Sequence, residues 1–256
     1  ILMKAFNIKG NVYWTGVLDP GLEVFDIIMK TEFGITYNSY FIEYENKVLI
    51  DTVNPTFKDE DMEKLGELVN IKDIDYVIIN HTEPDHAGSL RYILDINPDI
   101  MVYCTKAASL FLKEQVNGDF NCHVIKDGEE LNIGSKTLKF ITAPFLHWSD
   151  TMFVYDEADK VLFSCDAFGS HFCDVDPKAV LTDDYKKSFK YYYECIVEPF
   201  APHVISALNK VKDLEIETIL TSHGPILSED IAYNISKYKE WATEAVESRN
   251  KKQVAL

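Results

Sequence analysis

Apolar and polar positions along this chain follow two rhythms, the strict alternation of half-buried strands and the three-to-four spacing of amphipathic helices. Lys136-Thr137-Leu138-Lys139-Phe140-Ile141-Thr142 alternates as a strand does. Residues 151–155 and 160–165 read as two more strands, joined by the turn-prone Asp156-Glu157-Ala158-Asp159, and 217–221 as a further one. Nearer the amino terminus, where strands are also expected, 38–44 and 47–51 flank the turn Glu45-Asn46, and the apolar run Tyr76-Val77-Ile78-Ile79 ends at Asn80. Helical spacing covers 58–69, 106–115, 183–196, 203–212 and 228–250, and another helix is expected to open at His86 and continue through Leu94. Periodicity alone predicts a mixed α and β chain and no finer architecture.

Composition narrows the class. At 256 residues with 46% hydrophobic content, the chain can bury one large core, and it shows no Pro/Gly/Ser-rich linker, low-complexity tract or fixed-spacing repeat. No apolar run approaches the roughly 18 residues that cross a bilayer. The amino terminus lacks a signal peptide's apolar stretch, and Met3 is the expected native start, with Ile1 and Leu2 extraneous. Five cysteines form no C-x-x-C pair, which suits reduced thiols and a cytoplasmic location. A formal charge of −17, from 42 acids against 25 bases, argues against nucleic acid and anionic membrane surfaces as partners.

The chemistry concentrates at the strand ends. His81-Thr82-Glu83-Pro84-Asp85-His86 follows the strand that ends at Asn80. An extended segment places residues two apart on one side, so His81, Glu83 and Asp85 are expected to converge while Pro84 resists early helix formation. His147, Asp166 and His223 each follow a predicted strand end as well. One such histidine would be an ordinary loop residue, but four strand ends that each expose a metal-ligand type read as a two-metal site. Cys165 adjoins Asp166, and strand alternation is expected to turn it away from the metals. Three carboxylates plus a bridging hydroxide would balance two Fe(II) ions, and nitrogen and oxygen ligation without thiolate suits non-haem iron, although zinc also accepts such ligands.

His81-x-Glu83-x-Asp85-His86 with His147, Asp166 and His223, together with Asp166-Ala167-Phe168-Gly169 and Ser222-His223-Gly224-Pro225, resembles the diiron domain of the flavodiiron proteins, members of the metallo-β-lactamase superfamily. The likeness extends over nearly the whole chain, including Thr36-Tyr37-Asn38-Ser39-Tyr40 and residues 191–200. It implies an α/β fold, a metallo-β-lactamase-like αββα sandwich forming a single domain over residues 1–256, with metals at one edge of the paired sheets. It further implies an oxo- or hydroxo-bridged diiron centre in which one iron takes His81, Glu83 and His147, the other takes Asp85, His86 and His223, and Asp166 bridges them. Hydrolytic members of the superfamily usually have His in place of Glu83 and bind zinc. A family tyrosine near the ligand pocket corresponds to Tyr192 or Tyr193, with Tyr193 preferred as the hydrogen-bond donor. Many relatives place a histidine where this chain has Asp26, and His123, His171 and His203 are expected to be surface or structural residues.

Flavodiiron proteins continue into a flavodoxin-like domain, whereas this sequence ends at Leu256 with no phosphate-cradling glycine loop and no cysteine quartet for a rubredoxin centre. No FMN is expected in this chain. Two Fe(II) ions supply two electrons, enough for a peroxo-level product but short of the four that take dioxygen to water. The leading expectation is therefore an oxygen-binding diiron protein that serves as an oxygen sensor, with a signalling or electron-donor protein in trans; a homodimer stays open. The alternatives are a dioxygen or nitric oxide reductase fed by a separate flavoprotein or rubredoxin, and a metal-dependent hydrolase.

Overall fold

The computed structural model describes residues 3–254, so the expectation about Ile1 and Leu2 lies outside the described residues. Strands β1 (Phe6–Lys9), β2 (Val12–Trp14), β3 (Val17–Asp19), β4 (Val24–Phe25), β5 (Met29–Lys30), β6 (Ile35–Tyr37), β7 (Tyr40–Ile42) and β8 (Val48–Ile50) precede helix α1 (Lys58–Leu68). Then come β9 (Tyr76–Ile78), short helices α2 (Pro84–Ala87) and α3 (Leu90–Ile96), β10 (Met101–Cys104), α4 (Lys106–Val116) and β11 (Asn121–Val124). The second half contains β12 (Glu130–Asn132), β13 (Thr137–Thr142), β14 (Met152–Asp156), β15 (Val161–Cys165), α5 (Asp183–Tyr192), α6 (Ala201–Val211), β16 (Thr218–Thr221) and α7 (Ile231–Val254).

Two sheets carry the fold, one of seven strands in the order β1-β2-β7-β8-β9-β10-β11 and one of five in the order β12-β13-β14-β15-β16. Both begin as antiparallel meanders and finish with parallel pairs, at β8–β9–β10–β11 and at β15–β16. Alternation decides which layer each strand residue joins. Ile42, Val48, Ile50 and Ile78 point between the sheets to meet Phe140, Val154, Phe163 and Leu220. Their neighbours Phe41, Leu49, Val77 and Ile79 point outward to Leu65 of α1, Leu90 of α3 and Leu112 of α4. On the other flank Phe153, Tyr155 and Leu162 pack against Tyr185, Phe189 and Tyr238 of α5 and α7. Each such apolar side chain contributes about 1.5–3 kcal/mol by leaving water. The result is the αββα sandwich, a single mixed α/β domain.

Sequence periodicity located most of the elements read from it, but β10 and β11 went unread, and the helix expected from His86 through Leu94 is two, α2 and α3, separated at Gly88 and Ser89. Pro202 fits the first turn of α6, so that helix starts at Ala201 rather than at residue 203. α5 ends at Tyr192 and widens into a π-helical turn, Tyr193–Val197, instead of running straight to residue 196. No helix among the described residues is long and apolar enough to cross a membrane.

Candidate metal centre

The cluster grows from the carboxyl ends of four strands. Asp51, one residue past β8, accepts the backbone N–H of Asn80 at 2.7 Å and its side-chain amide at 3.2 Å, fixing the exit of β9 just before His81. Burial pushes the Asp51 carboxyl up to about 7, against the pull of His86 and the Asn80 N–H. Pro84 does not postpone the helix. It occupies the first position of α2, where its missing N–H costs nothing and its fixed φ suits the helix. The expected convergence of His81, Glu83 and Asp85 on one side of an extended segment is corrected accordingly. His81 and Glu83 precede the helix, Glu83 as its N-cap, whereas Asp85 and His86 are helical and turn to a second group. Gly88 permits this tight start, since a Cβ there would meet the Pro84 carbonyl at 2.3 Å.

Asp166 joins the two groups. Its Oδ2 lies 3.5 Å from His81 Nε2 and 3.3 Å from His147 Nε2, while its Oδ1 lies 3.1 Å from His86 Nε2 and 3.5 Å from His223 Nε2. Glu83 Oε2 completes the first group at 3.1 Å from His147 and 3.3 Å from His81. Asp85 completes the second, with Oδ1 at 3.4 Å from His86 and Oδ2 at 3.2 Å from His223. The structure thus brings all seven sequence-derived candidates together, in the two sets the resemblance implied. Spacings of 3.1–3.5 Å between ligand atoms are those of donors arranged around a shared cation, although these seven are also mutually attractive as carboxylates and imidazoles.

The electrostatics show that the cluster demands positive charge. Burial disfavours a charged His81, yet its hydrogen bonds to Asp150 and Glu83 prevail and push it up to about 10. His147 rises to about 10 against the same burial, through Asp166 and Glu83, and His86 to about 9 through Asp85 and Asp166. Glu83 is held down to about 2 by His147 and His81 despite its burial, and Asp166 falls well below the usual carboxylate range. Both oxygens of Asp85 and of Asp166, and both ring nitrogens of His86, are buried without a hydrogen-bond partner. Orphaned polar atoms at such density cost too much to be structural, and two divalent cations would satisfy the Asp85 and Asp166 carboxylates and the Nε2 of His86. The donors are four imidazoles and three carboxylates, a set that fits iron and leaves thiolate out of the seven.

Further residues build the surroundings, and of these Asp150 was not singled out by the sequence. Asp150 Oδ1 lies 3.2 Å from His81 Nδ1, and its Oδ2 accepts from the Thr82 N–H and hydroxyl at 2.8 and 2.7 Å. The Thr36 carbonyl lies 2.6 Å from His223 Nδ1. His171 is buried, its ring 4.8 Å from Phe25, 4.9 Å from Tyr192 and 6.0 Å from His223, and both its nitrogens lack partners. Burial, helped by His223, lowers it to about 3, so of the two roles expected for it, surface or structural, it takes the structural one, as a neutral wall of the site. Asp26 sits on the exposed β4–β5 turn, its carboxyl raised by burial and by repulsion from Glu83 and Asp85.

Two side-chain directions differ from expectation. Tyr193 turns to Tyr238 and Trp241 of α7, each ring 5.0 Å away, and the structure does not bring it to the cluster. Tyr192 takes that place, because neighbouring helical residues diverge by about 100° and only one of the pair can face the cluster. Its buried hydroxyl has no partner, and its ring lies 6.3 Å from that of His223. Cys165 is not turned fully away either. The β15–β16 register breaks there, its φ is +53°, and its sulfur comes within 4.8 Å of ligand atoms of His86 and Asp166.

Comparison with known proteins agrees with this geometry. A flavo-diiron protein, FprA2 of Clostridium acetobutylicum, is 44% identical over 249 residues, covering 94% of this chain and 62% of its own length. Among solved structures, the flavodiiron protein from Giardia intestinalis superposes with a TM-score of 0.90 at 32% identity, covering 94% of this chain and 59% of that one. Rubredoxin oxygen:oxidoreductase from Desulfovibrio gigas gives a TM-score of 0.90 at 28% identity, covering 94% and 62%. The chain therefore spans about three-fifths of the length of these relatives. The model of the ODP family beta lactamases matches residues 35–224, a span that includes all seven cluster residues, and the chain belongs to that family.

Proposed function

We propose that this chain is a non-haem diiron domain that binds dioxygen, with oxygen sensing as its role. The observation that carries the reading is Asp166, which turns one oxygen to each of two groups, each holding two imidazoles and one further carboxylate. Two ferrous ions held there would together offer two electrons to dioxygen.

The residues around the cluster supply the rest. Glu83 puts a hard anionic donor where the hydrolytic relatives have imidazole, which supports iron over zinc and oxygen chemistry over hydrolysis. Asp150 and the Thr36 carbonyl fix the tautomers of His81 and His223, so that each presents Nε2 to the cluster. Phe25, Tyr37, His171 and Tyr192 stand around His223 and exclude water from that side. The Tyr192 hydroxyl and the His171 ring are the buried polar groups of this wall without partners, and each could donate to a small ligand at the cluster. Electrons for repeated turnover must come from outside the described residues. The name of the Desulfovibrio relative, rubredoxin oxygen:oxidoreductase, favours a second reading, a reductase fed by a redox partner.

Metal analysis and an anaerobic dioxygen titration test both readings. Iron-loaded, reduced protein should hold about two irons and take up about one dioxygen per pair, then stop. Sustained uptake when NADH and a flavoprotein or rubredoxin are added would establish the reductase. Two zinc ions after iron-supplemented expression, with ester hydrolysis, would overturn the diiron proposal.

A further inference from the structure

Away from the metal cluster, two thiols meet at the edge of the seven-stranded sheet. Cys104 ends β10 and Cys122 lies in β11, and the parallel register sets Val102 opposite Cys122 and Cys104 opposite Val124. Two register positions apart, the side chains share the face that α4 covers, within one apolar cluster. Their sulfurs are 3.5 Å apart. Cys104 is fully buried, while Cys122 is partly exposed and open to a small reagent. β11 has β10 as its single neighbour, so it can move without breaking a second ladder. Bond formation asks the sulfurs to close by about 1.5 Å, to the usual disulfide length of about 2.05 Å.

We propose that Cys122 and Cys104 form a peroxide-reactive thiol pair that closes reversibly to an intramolecular disulfide. The two sulfurs have different roles. The Cys104 S–H hydrogen-bonds to Cys122, and with His123, Lys113 and Lys106 nearby this lowers the Cys122 thiol to about 7 despite its partial burial. The same hydrogen bond, together with burial, raises Cys104. Cys122 is the thiolate that attacks and Cys104 the thiol that resolves.

In the first step the Cys122 sulfur attacks one oxygen of hydrogen peroxide. An S–O bond forms, the O–O bond breaks, and the departing hydroxide takes a proton to become water, leaving a sulfenic acid at Cys122. The Cys104 sulfur then attacks the Cys122 sulfur. The S–S bond forms, the S–O bond breaks, and the Cys104 proton leaves with the hydroxyl as a second water. The two thiols have together lost two electrons and the peroxide has gained them.

Rate alone does not identify such a pair. A thiol lowered to about 7 carries roughly fifteen times the thiolate of an ordinary one at neutral pH, but its weaker basicity takes back about fivefold, leaving about threefold. The decisive quantity is the product, because Cys104 waits beside the sulfenic acid. The purified full chain is therefore treated with about one equivalent of hydrogen peroxide, in iron-loaded and zinc-loaded forms so that iron redox chemistry is separated out. It is then alkylated and its peptides mapped. Two of the five thiols should disappear, a peptide linking Cys104 to Cys122 should appear in both forms, and dithiothreitol should reverse it. In Cys104→Ser, a Cys122 sulfenic acid should be trapped by dimedone without a cross-link. Preferential oxidation of the exposed Cys195, or over-oxidation of Cys122 without a cross-link in the parental protein, would overturn the proposal whether or not the variant folds.

Discussion

Asp150 grips His81 from behind the metal cluster, its Oδ1 3.2 Å from Nδ1 of a ring whose Nε2 faces Glu83 and Asp166. Thr82 donates twice to the other Asp150 oxygen, and the hydroxyl of Thr105 bonds the Asp150 carbonyl at 3.0 Å, so the carboxylate is anchored as well as paired. A carboxylate in this position sets the tautomer and the aim of a ligating imidazole. Asp150→Asn keeps the shape and removes the charge. Metal affinity at the His81 group should fall by about 10–100-fold with the fold intact, as read by chelator competition and circular dichroism. A chelator curve identical to the parent's would remove this role from Asp150.

Asp166 and Glu83 differ in how many groups they serve. Asp166 faces four imidazoles across both groups, whereas Glu83 faces His81 and His147 alone. Asp166→Ala should therefore deplete both positions toward zero metal, while Glu83→Gln should leave close to one metal per chain. Elemental analysis after identical iron loading distinguishes them. Equal losses in the two variants would contradict the shared position of Asp166.

The seven candidates were legible because the period-two rhythm marks where strands end, and His, Asp and Glu there are exposed to one shared edge. What escaped depends on geometry that a pattern does not encode. Pro84 looks like a barrier by its effect on the preceding residue alone, yet it is suited to a helix's first turn. Cys165 escaped because a left-handed φ breaks the alternation used to aim it. Asp150 is a polar loop residue whose burial follows from strands distant in sequence. Tyr192 had a usable signal. Tyr185, Ser188, Phe189 and Tyr192 form a stripe at helical spacing that omits Tyr193, and all four are buried on α5.

Asp61 is a buried carboxylate outside the cluster. It is 0% exposed on α1 and neither oxygen has a hydrogen-bond partner, because Lys64 bonds the Gly16 carbonyl and Glu60 instead, each at 2.7 Å. Burial pushes it up to about 7, against the attraction of Lys64. Between its ordinary value of 3.8 and about 7 the folded chain holds a proton that the unfolded chain has released. Stability from this group therefore falls as pH rises through that window. Asp61→Asn should be more stable than the parent at pH 8, by on the order of 4 kcal/mol at most, with the gain shrinking toward pH 5. Urea unfolding of both proteins checks this, since the difference between them cancels the metal cluster's own pH dependence. A gain equal at both pH values would mean that Asp61 does not titrate in the window.

Tyr192 and Tyr193 are adjacent in sequence and opposite in consequence. The Tyr192 ring lies 4.9 Å from His171 and 6.3 Å from His223, and its buried hydroxyl lacks a partner. Gly169 makes room for it, because a Cβ there would stand 3.2 Å from that hydroxyl. Removing an unpaired buried hydroxyl should leave stability unchanged or slightly raised, since nothing loses a bond. If that hydroxyl donates to a ligand at the metals, Tyr192→Phe should slow the dioxygen reaction by about tenfold, the equivalent of one hydrogen bond, without altering metal content. Tyr193→Phe lies among Tyr238 and Trp241 and should leave the reaction as it is. Stopped-flow mixing of the reduced, iron-loaded variants with dioxygen compares them directly. Slowing in Tyr193→Phe but not in Tyr192→Phe would return the donor role to Tyr193 and show that α5 turns in solution from the packing described above.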